Sequence, residues 1–154
     1  MIDDLYSSQI LKLAANMPHA GRLAAPDVSV EKVSKLCGSR IIVDLTLEHG
    51  KVATFAQDVK ACALGQASAA ILGAHVIGAS PAEIEMARDA FRAMLRSGGP
   101  SPSGRFSDLA MLEPVKDYPP RHASTLLAFE AAAQACRDAE DRALAGRTRR
   151  AGAA

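Results

Sequence analysis

Between residues 40 and 60 the chain changes its periodicity, and that change limits what it can fold into. Ile41, Val43, Leu45 and Leu47 alternate with Ile42, Asp44 and Thr46, and beyond Glu48-His49-Gly50-Lys51 the set Val52, Thr54 and Ala56 continues the pattern. A period of two puts alternate side chains on opposite faces of a strand, so the segment predicts a β-hairpin with His49 in its turn. A preceding strand is expected over residues 28–36.

Everything around this island reads as helix. Residues 2–15 carry Leu5, Ile10, Leu11 and Leu13 near helical spacing and stop at the turn of residues 16–21, which includes Pro18, His19 and Gly21. After Cys62 the run from Ala63 through Ala70 to Leu72 is small and helical, suited to close approach to a sheet, and Gly78 ends it. Ser80-Pro81-Ala82-Glu83 offers an N-cap serine, a proline at the first helical position and a glutamate placed to complete a capping box. The helix it opens has Ile84, Ala87, Phe91 and Leu95 as its inner stripe and Arg88, Arg92 and Arg96 on its outer row. The Ser-, Gly- and Pro-rich run of residues 97–104 is expected to be a mobile surface loop that does not pack. Residues 106–115 are short and apolar, and an Ala-rich helix follows over residues 121–145.

The expected fold is therefore α+β, a small antiparallel three-stranded sheet packed against several helices. An apolar share of 49% drawn mainly from Ala, Val, Ile and Leu, without tryptophan, suits close-packed helices on such a sheet. A length of 154 residues suits one domain, here residues 1–145, with residues 146–154 read as a disordered basic tail.

A formal net charge of +1 gives no electrostatic case for nucleic acid, and the basic residues Arg147, Arg149 and Arg150 sit in that tail. No stretch approaches the ~20 apolar residues that span a bilayer, and the acidic pair Asp3-Asp4 stands where a signal peptide would be basic. A cytoplasmic location is expected. Gly98-Gly99 lacks the following lysine of a phosphate-binding loop, and no nucleotide, flavin or haem signal is present.

Chemistry is left to the three cysteines, an odd number that argues for free thiols over a disulfide framework. Cys37 precedes Gly38 just before the hairpin, and the glycine permits a turn that could point the thiol away from the sheet. Cys62 stands where a strand hands over to a helix, and a helix N-terminus is a setting that favours thiolate, the form that binds metal or attacks sulfur. Cys136 lies twelve residues beyond Ser124 on one expected helix, about 18 Å along its axis, and reads as a packed residue.

These residues resemble the U-type iron-sulfur cluster assembly scaffold family, which includes IscU, SufU and the N-terminal domain of NifU. The resemblance covers nearly the whole chain, from the opening Leu5-Tyr6 and the turn at Asn16 onward. The family places Cys-Gly-Asp before a strand, and here stand Cys37-Gly38-Ser39. It places Gly-Cys and small residues at the opening of a helix, similar to Ala61-Cys62-Ala63. A third cysteine precedes a Leu-Ala pair, and matching that pair to Leu127-Ala128 puts Ser124 in its place, with Ala123 where some members carry histidine. The loop before Phe106, residues 109–119 and Arg121 look most like the SufU branch.

The resemblance implies a SufE/NifU-like fold and a scaffold or carrier, more a scaffold than an enzyme. It would receive sulfur from a cysteine desulfurase, bind iron or a cluster through Cys37 and Cys62 with Ser39 and Ser124 in the remaining ligand positions, and serve iron-sulfur recipient proteins. Three arrangements stay open. A [2Fe-2S] cluster is shared by two copies in a homodimer, each giving Cys37 and Cys62; a zinc or iron ion uses Cys37, Cys62, His122 and water; or no metal binds and the thiols relay sulfur or contact a partner. The alternatives to a scaffold are accordingly a persulfide-accepting protein and a non-catalytic interaction module of the same pathway. Outside the metal reading, His122 is a surface histidine of a first helical turn, while His49 and His75 are structural or solvated and His19 carries no separate signal.

Overall fold

The computed structural model describes residues 6–36 and 38–152, with side chains described as far as Gly146. Cys37 and residues 1–5 lie outside the described residues. The elements run α1 (Ser8–Ala15), β1 (Val28–Ser34), β2 (Ser39–Glu48), β3 (Lys51–Lys60), α2 (Ala63–His75), α3 (Pro81–Ser97), successive 3₁₀ turns over Gly104–Asp117 and Pro119–Arg121, and α4 (His122–Gly152). The strands form one antiparallel sheet in the order β1-β2-β3, as the sequence predicts. The last helix continues to Gly152, past residue 145 where the sequence places its end.

The hairpin register puts Val30 opposite Val43, and Leu45 between Val28 and Phe55. These residues and Ile41 are buried and make the sheet's inner face. His49 and Gly50 close the hairpin with φ of 54° and 75°. Two positive φ values in a two-residue loop match the right-handed twist of the strands, and histidine is among the side chains that tolerate the left-handed region. Next to β3, Gly21 donates to the Gln57 carbonyl and the Gln57 amide donates to the His19 carbonyl, both at 2.9 Å. The N-terminal turn thereby covers part of an edge that would otherwise be open.

Helix α4 lies across β1 and β2 and packs against α2 and α3. Leu126, Ala128, Phe129, Ala131, Ala132, Ala133, Ala135 and Cys136 are all buried, so this stretch is apolar nearly all round, as a helix enclosed on most sides must be. Phe129 joins three elements, meeting Phe91 of α3 at 5.6 Å and Phe106 of the 3₁₀ turns at 5.4 Å, both edge to face. The 3₁₀ run is long for its kind, and its sequence explains it. Phe106, Leu109, Leu112 and Val115 recur every third residue and are all buried, which matches three residues per turn.

The capping box at Ser80 and Glu83 forms as the sequence predicts. The run of residues 97–104 lies mostly at the surface, as expected, but it is anchored at both ends of its first six residues. Gly98 caps α3 in the left-handed region, the Gly99 amide returns to the Ala93 carbonyl at 3.0 Å, and Pro102 is buried. Arg105 then reaches the carbonyls of His75, Ile77 and Gly78 and pairs with Glu83 at 2.8 Å, tying the end of α2 to the start of α3.

On the outer face of the sheet the Asp44 side chain is fully buried. Its oxygens accept from Arg22 Nε at 2.6 Å, from the Leu23 amide at 3.0 Å and from the Ser29 hydroxyl. Burial pushes the carboxyl's pKa up, but the Arg22, Ser29 and Leu23 hydrogen bonds together outweigh it and hold the group below its ordinary value. A folded-state pKa below the unfolded one gives stability that is present above the unfolded value and lost as pH falls through the folded one. Asp44→Ala is expected to lower unfolding free energy near neutral pH by ~2–4 kcal/mol. Denaturant titrations should show the gap to the parent closing as pH falls through the acid range, and a gap independent of pH would contradict this account.

Candidate functional site

The site lies at the end of the sheet where β1 turns into β2 and β3 leaves for α2. Ser34 pairs with Ser39, and Arg40 pairs with Lys60, so the register itself brings the turn of residues 35–38 and the β3–α2 junction to one end. The Gly38 amide closes that turn on the Ser34 carbonyl at 2.8 Å. Ser39 is buried at the first position of β2.

Cys62 is the N-cap of α2, as the sequence predicts from its place at the junction. Its side chain makes no capping bond; the Gln66 amide donates instead to the Cys62 carbonyl at 2.9 Å, and Gln66 Nε2 donates to the Ala61 carbonyl at 3.0 Å. The half-buried sulfur is left to face α4, where Ser124 Oγ lies 3.5 Å away. Residues placed far apart in sequence and matched only through a spacing are thus in contact. The first turn of α2 carries no acidic side chain to oppose negative charge on that sulfur.

What lets α2 and α4 come this close is Gly65. A Cβ there would sit 2.9 Å from Ala61 Cβ and 3.0 Å from the Ser124 carbonyl oxygen. The sequence marks this run as small for approach to a sheet. That holds at Gly73, where a Cβ would meet Gln57 of β3, whereas at Gly65 the close neighbour is a helix.

Ser124 and Thr125 are buried and share a partner. Ser124 Oγ donates to the Arg121 carbonyl at 3.3 Å and Thr125 Oγ1 donates to the same oxygen at 2.7 Å. Neither Thr125 nor the Arg121 carbonyl stands out in the sequence, because a hydroxyl bonding back along its own helix leaves no pattern there.

His122 is buried, which corrects the surface reading. Its Nε2 lies 2.9 Å from the Val115 carbonyl and 3.1 Å from that of Lys116, bracing the 3₁₀ turns against the start of α4. Cys136 is fully buried, its thiol pushed up to about 12 by burial and by the nearby Glu140 and Glu85 carboxylates, in keeping with a packing role. His75 faces Asp108 at 3.0 Å and His19 stacks edge-on against Phe55. Among the described residues no group of three or more His, Cys, Asp or Glu side chains is gathered for a metal ion, and no helix is long and apolar enough to cross a membrane.

The crystal structure of the N-terminal part of a nitrogen-fixing NifU-like protein from Brucella abortus superposes with a TM-score of 0.89 at 51% identity, covering 91% of this chain and 97% of that one. The chain belongs to the U-type scaffold family. No family model matches the sequence. The iron-sulfur cluster assembly scaffold protein IscU of Thermotoga maritima is 28% identical over 126 residues, which span 82% of this U-type chain and 88% of that protein. An iron-sulfur cluster assembly scaffold protein of the SUF system from Fervidobacterium islandicum shares the fold, with a TM-score of 0.80 at 19% identity, over 87% of this chain and 98% of the other.

Gly65→Ala tests the close approach on which this U-type site rests. Alanine is the better helix former by about 1 kcal/mol, so a helix limited by propensity alone would gain. Overpacking against a backbone oxygen reverses the sign, and a net loss of ~1–3 kcal/mol is expected in denaturant unfolding. An unchanged or raised stability would mean that α2 and α4 can separate freely.

Proposed function

We propose that this protein is an iron-sulfur cluster assembly scaffold or carrier with a reduced ligand set. In this reading it receives sulfur from a cysteine desulfurase, holds iron or a cluster as cargo through Cys37 and Cys62, and passes it to recipient proteins. The observation that carries it is the placing of Cys62 at a helix N-terminus against Ser124, at the end of the sheet that also carries the turn of residues 35–38. Membership of the U-type family supplies the pathway.

The chemistry of the pair suits such a cargo in part. A tetrahedral ion with sulfur at about 2.3 Å and oxygen at about 2.0 Å sets those two atoms about 3.5 Å apart, which is the separation of Cys62 Sγ and Ser124 Oγ. A neutral hydroxyl is nevertheless a poor ligand beside a thiolate. Cargo held with serine at that position exchanges more readily than with cysteine. Sharing between two copies, each giving Cys37 and Cys62, supplies four thiolates to a [2Fe-2S] centre without either serine.

A second reading, the persulfide acceptor, is favoured by the same contact. Sulfur relay needs one reachable thiol and no complete ligand set, and Cys62 is half-buried rather than enclosed.

Anaerobic reconstitution with iron and sulfide, followed by visible absorption, tests the scaffold reading. The parent should develop cluster bands, Cys62→Ala should lose them, and Ser124→Cys should resist a chelator at least about tenfold longer. Colourless products from both the parent and Ser124→Cys would overturn it, and persulfide found on the parent in that case would establish the relay instead.

A further inference from the structure

The outer edge of β3 is covered in two places and open in a third. The Val52 amide donates to the Ala79 carbonyl at 2.9 Å, and the Val52 carbonyl accepts from Gly78 at 2.8 Å. At Gln57 the amide donates to His19 and the carbonyl accepts from Gly21. Backbone groups turn to the same edge of a strand at every second residue, and β3 keeps one register with β2 from Thr54 to Lys60. The Val59 amide and carbonyl therefore face outward as those of Gln57 do. Among the described residues no group bonds to either of them. Such a pair is a template for another extended chain.

A cavity of about 210 Å³ opens beside Val59, between the end of α1, the N-terminal turn and the start of α2, with Ala14, Met17, Asp58 and Gln66 in its walls. That is below the roughly 300–1,000 Å³ of pockets that enclose a drug-sized ligand, and it suits one side chain. Its polar groups are chiefly acceptors. Asp58 makes no ion pair with Lys60 two residues on, and Arg22, which its charge reaches, is held by Asp44. Gln66 spends Nε2 on the Ala61 carbonyl, which leaves its side-chain oxygen. Gln57 also lines the cavity and is fully buried. Its Nε2 donates to the carbonyls of Ala69 at 2.8 Å and Pro18 at 3.3 Å, so the amide is fixed one way round, and its Oε1 has no partner.

We propose that this edge takes an extended segment of a partner protein that carries a lysine or arginine. The segment's main chain pairs with Val59, and its cation enters the cavity against Asp58 and Gln66. The open amide and carbonyl call for a peptide, which supplies an acceptor and a donor at ladder spacing. The unmet acceptors call for a side chain made only of donors. A second copy pairing β3 with β3 would gain little, since the N-terminal turn already stands at Gln57. Val59 is three residues before Cys62, so a segment held here comes to the end of the sheet that carries the candidate site. The inference needs neither a metal nor a working thiol, and it goes beyond the reading of the cargo.

The test uses the full chain, isotope-labelled for amide NMR, and short capped peptides of alternating threonine and valine with lysine, norleucine or glutamate at the centre. The lysine peptide should move the amide signals of Asp58, Val59 and Gln66 saturably and slow hydrogen exchange at Val59. Norleucine, of similar length without the charge, should weaken binding about threefold, the size of a partly exposed ion pair, and glutamate should weaken it further. Asp58→Asn should remove the difference between lysine and norleucine. Val59→Pro takes away the open N–H without costing a bond to β2 and should lose all three peptides. Ala14→Phe, which fills the cavity from α1 and leaves β3 untouched, should lose the lysine peptide in a chain whose other signals stay in place. Absence of saturable shifts at these amides, or equal binding of the lysine and glutamate peptides, overturns the proposal. Butylamine moving the same signals as strongly as the lysine peptide overturns it in favour of a small-cation site, and self-association at these amides without peptide overturns it in favour of a second copy. None of these results depends on iron, sulfide or a cysteine, so they stand apart from the proposed function.

Discussion

The structure hangs on how closely α2 approaches α4. Helix pairs usually sit 8–10 Å apart because side chains separate them, and here the spacer is missing at Gly65, whose position faces the Ser124 backbone directly. Two consequences follow from that one absent methyl. The N-terminus of α2 is carried down onto the first turn of α4, so that an N-cap residue at the end of β3 can touch a side chain sixty-two residues later. Helix α4 in turn lies on β1 and β2, its buried alanines interspersed with Leu126 and Phe129. Where the small residues meet there is little slack, since they cannot move aside as a leucine can.

That closeness also shapes the end of the sheet where the candidate site lies. The strands deliver the β1–β2 turn and the β3–α2 junction to one side through register alone, while α4 and the 3₁₀ turns wall the site from behind, braced by His122 on the Val115 and Lys116 carbonyls. On the far face of the sheet, Asp44 holds the N-terminal turn through Arg22 and Leu23. The two polar clusters differ in kind. Asp44 is charged and accepts from three groups; the hydroxyls at Ser124 and Thr125 are neutral and both donate to the one Arg121 carbonyl.

Much of this is legible in the chain, and the limits have physical causes. The hairpin shows because a half-buried strand must alternate, and α3 shows because its cap uses side chains whose spacing is fixed by the helix. The place of Cys62 at the start of α2 shows because an alternating strand there gives way to a run of small helical residues. The 3₁₀ turns were not legible, since a period of three lies between the strand and helix periods and Pro114 reads as a break in both. The Gly-Pro-Ser run shows as a surface segment from its composition, but its two anchors, the αL cap at Gly98 and the burial of Pro102, are decided by what lies beneath it. Ser124 shows in the sequence only through its distance from Leu127-Ala128, and the partner on which its hydrogen rests is a backbone atom that no sequence displays.

The exchange of thiol for hydroxyl at residue 124 changes more than the number of ligands. Cysteine there would bring an acidic group whose anion binds soft metals, and would add negative charge beside Cys62. Serine stays neutral and protonated under the same conditions, and its hydroxyl donates to the Arg121 carbonyl at 3.3 Å while its oxygen lies 3.5 Å from the Cys62 sulfur. A site with three thiolates repels further negative charge and holds it only when a cation is present. With a hydroxyl in place of a thiol at residue 124 that repulsion falls, and the first turn of α4 is held at the Arg121 carbonyl by two neutral hydrogen bonds.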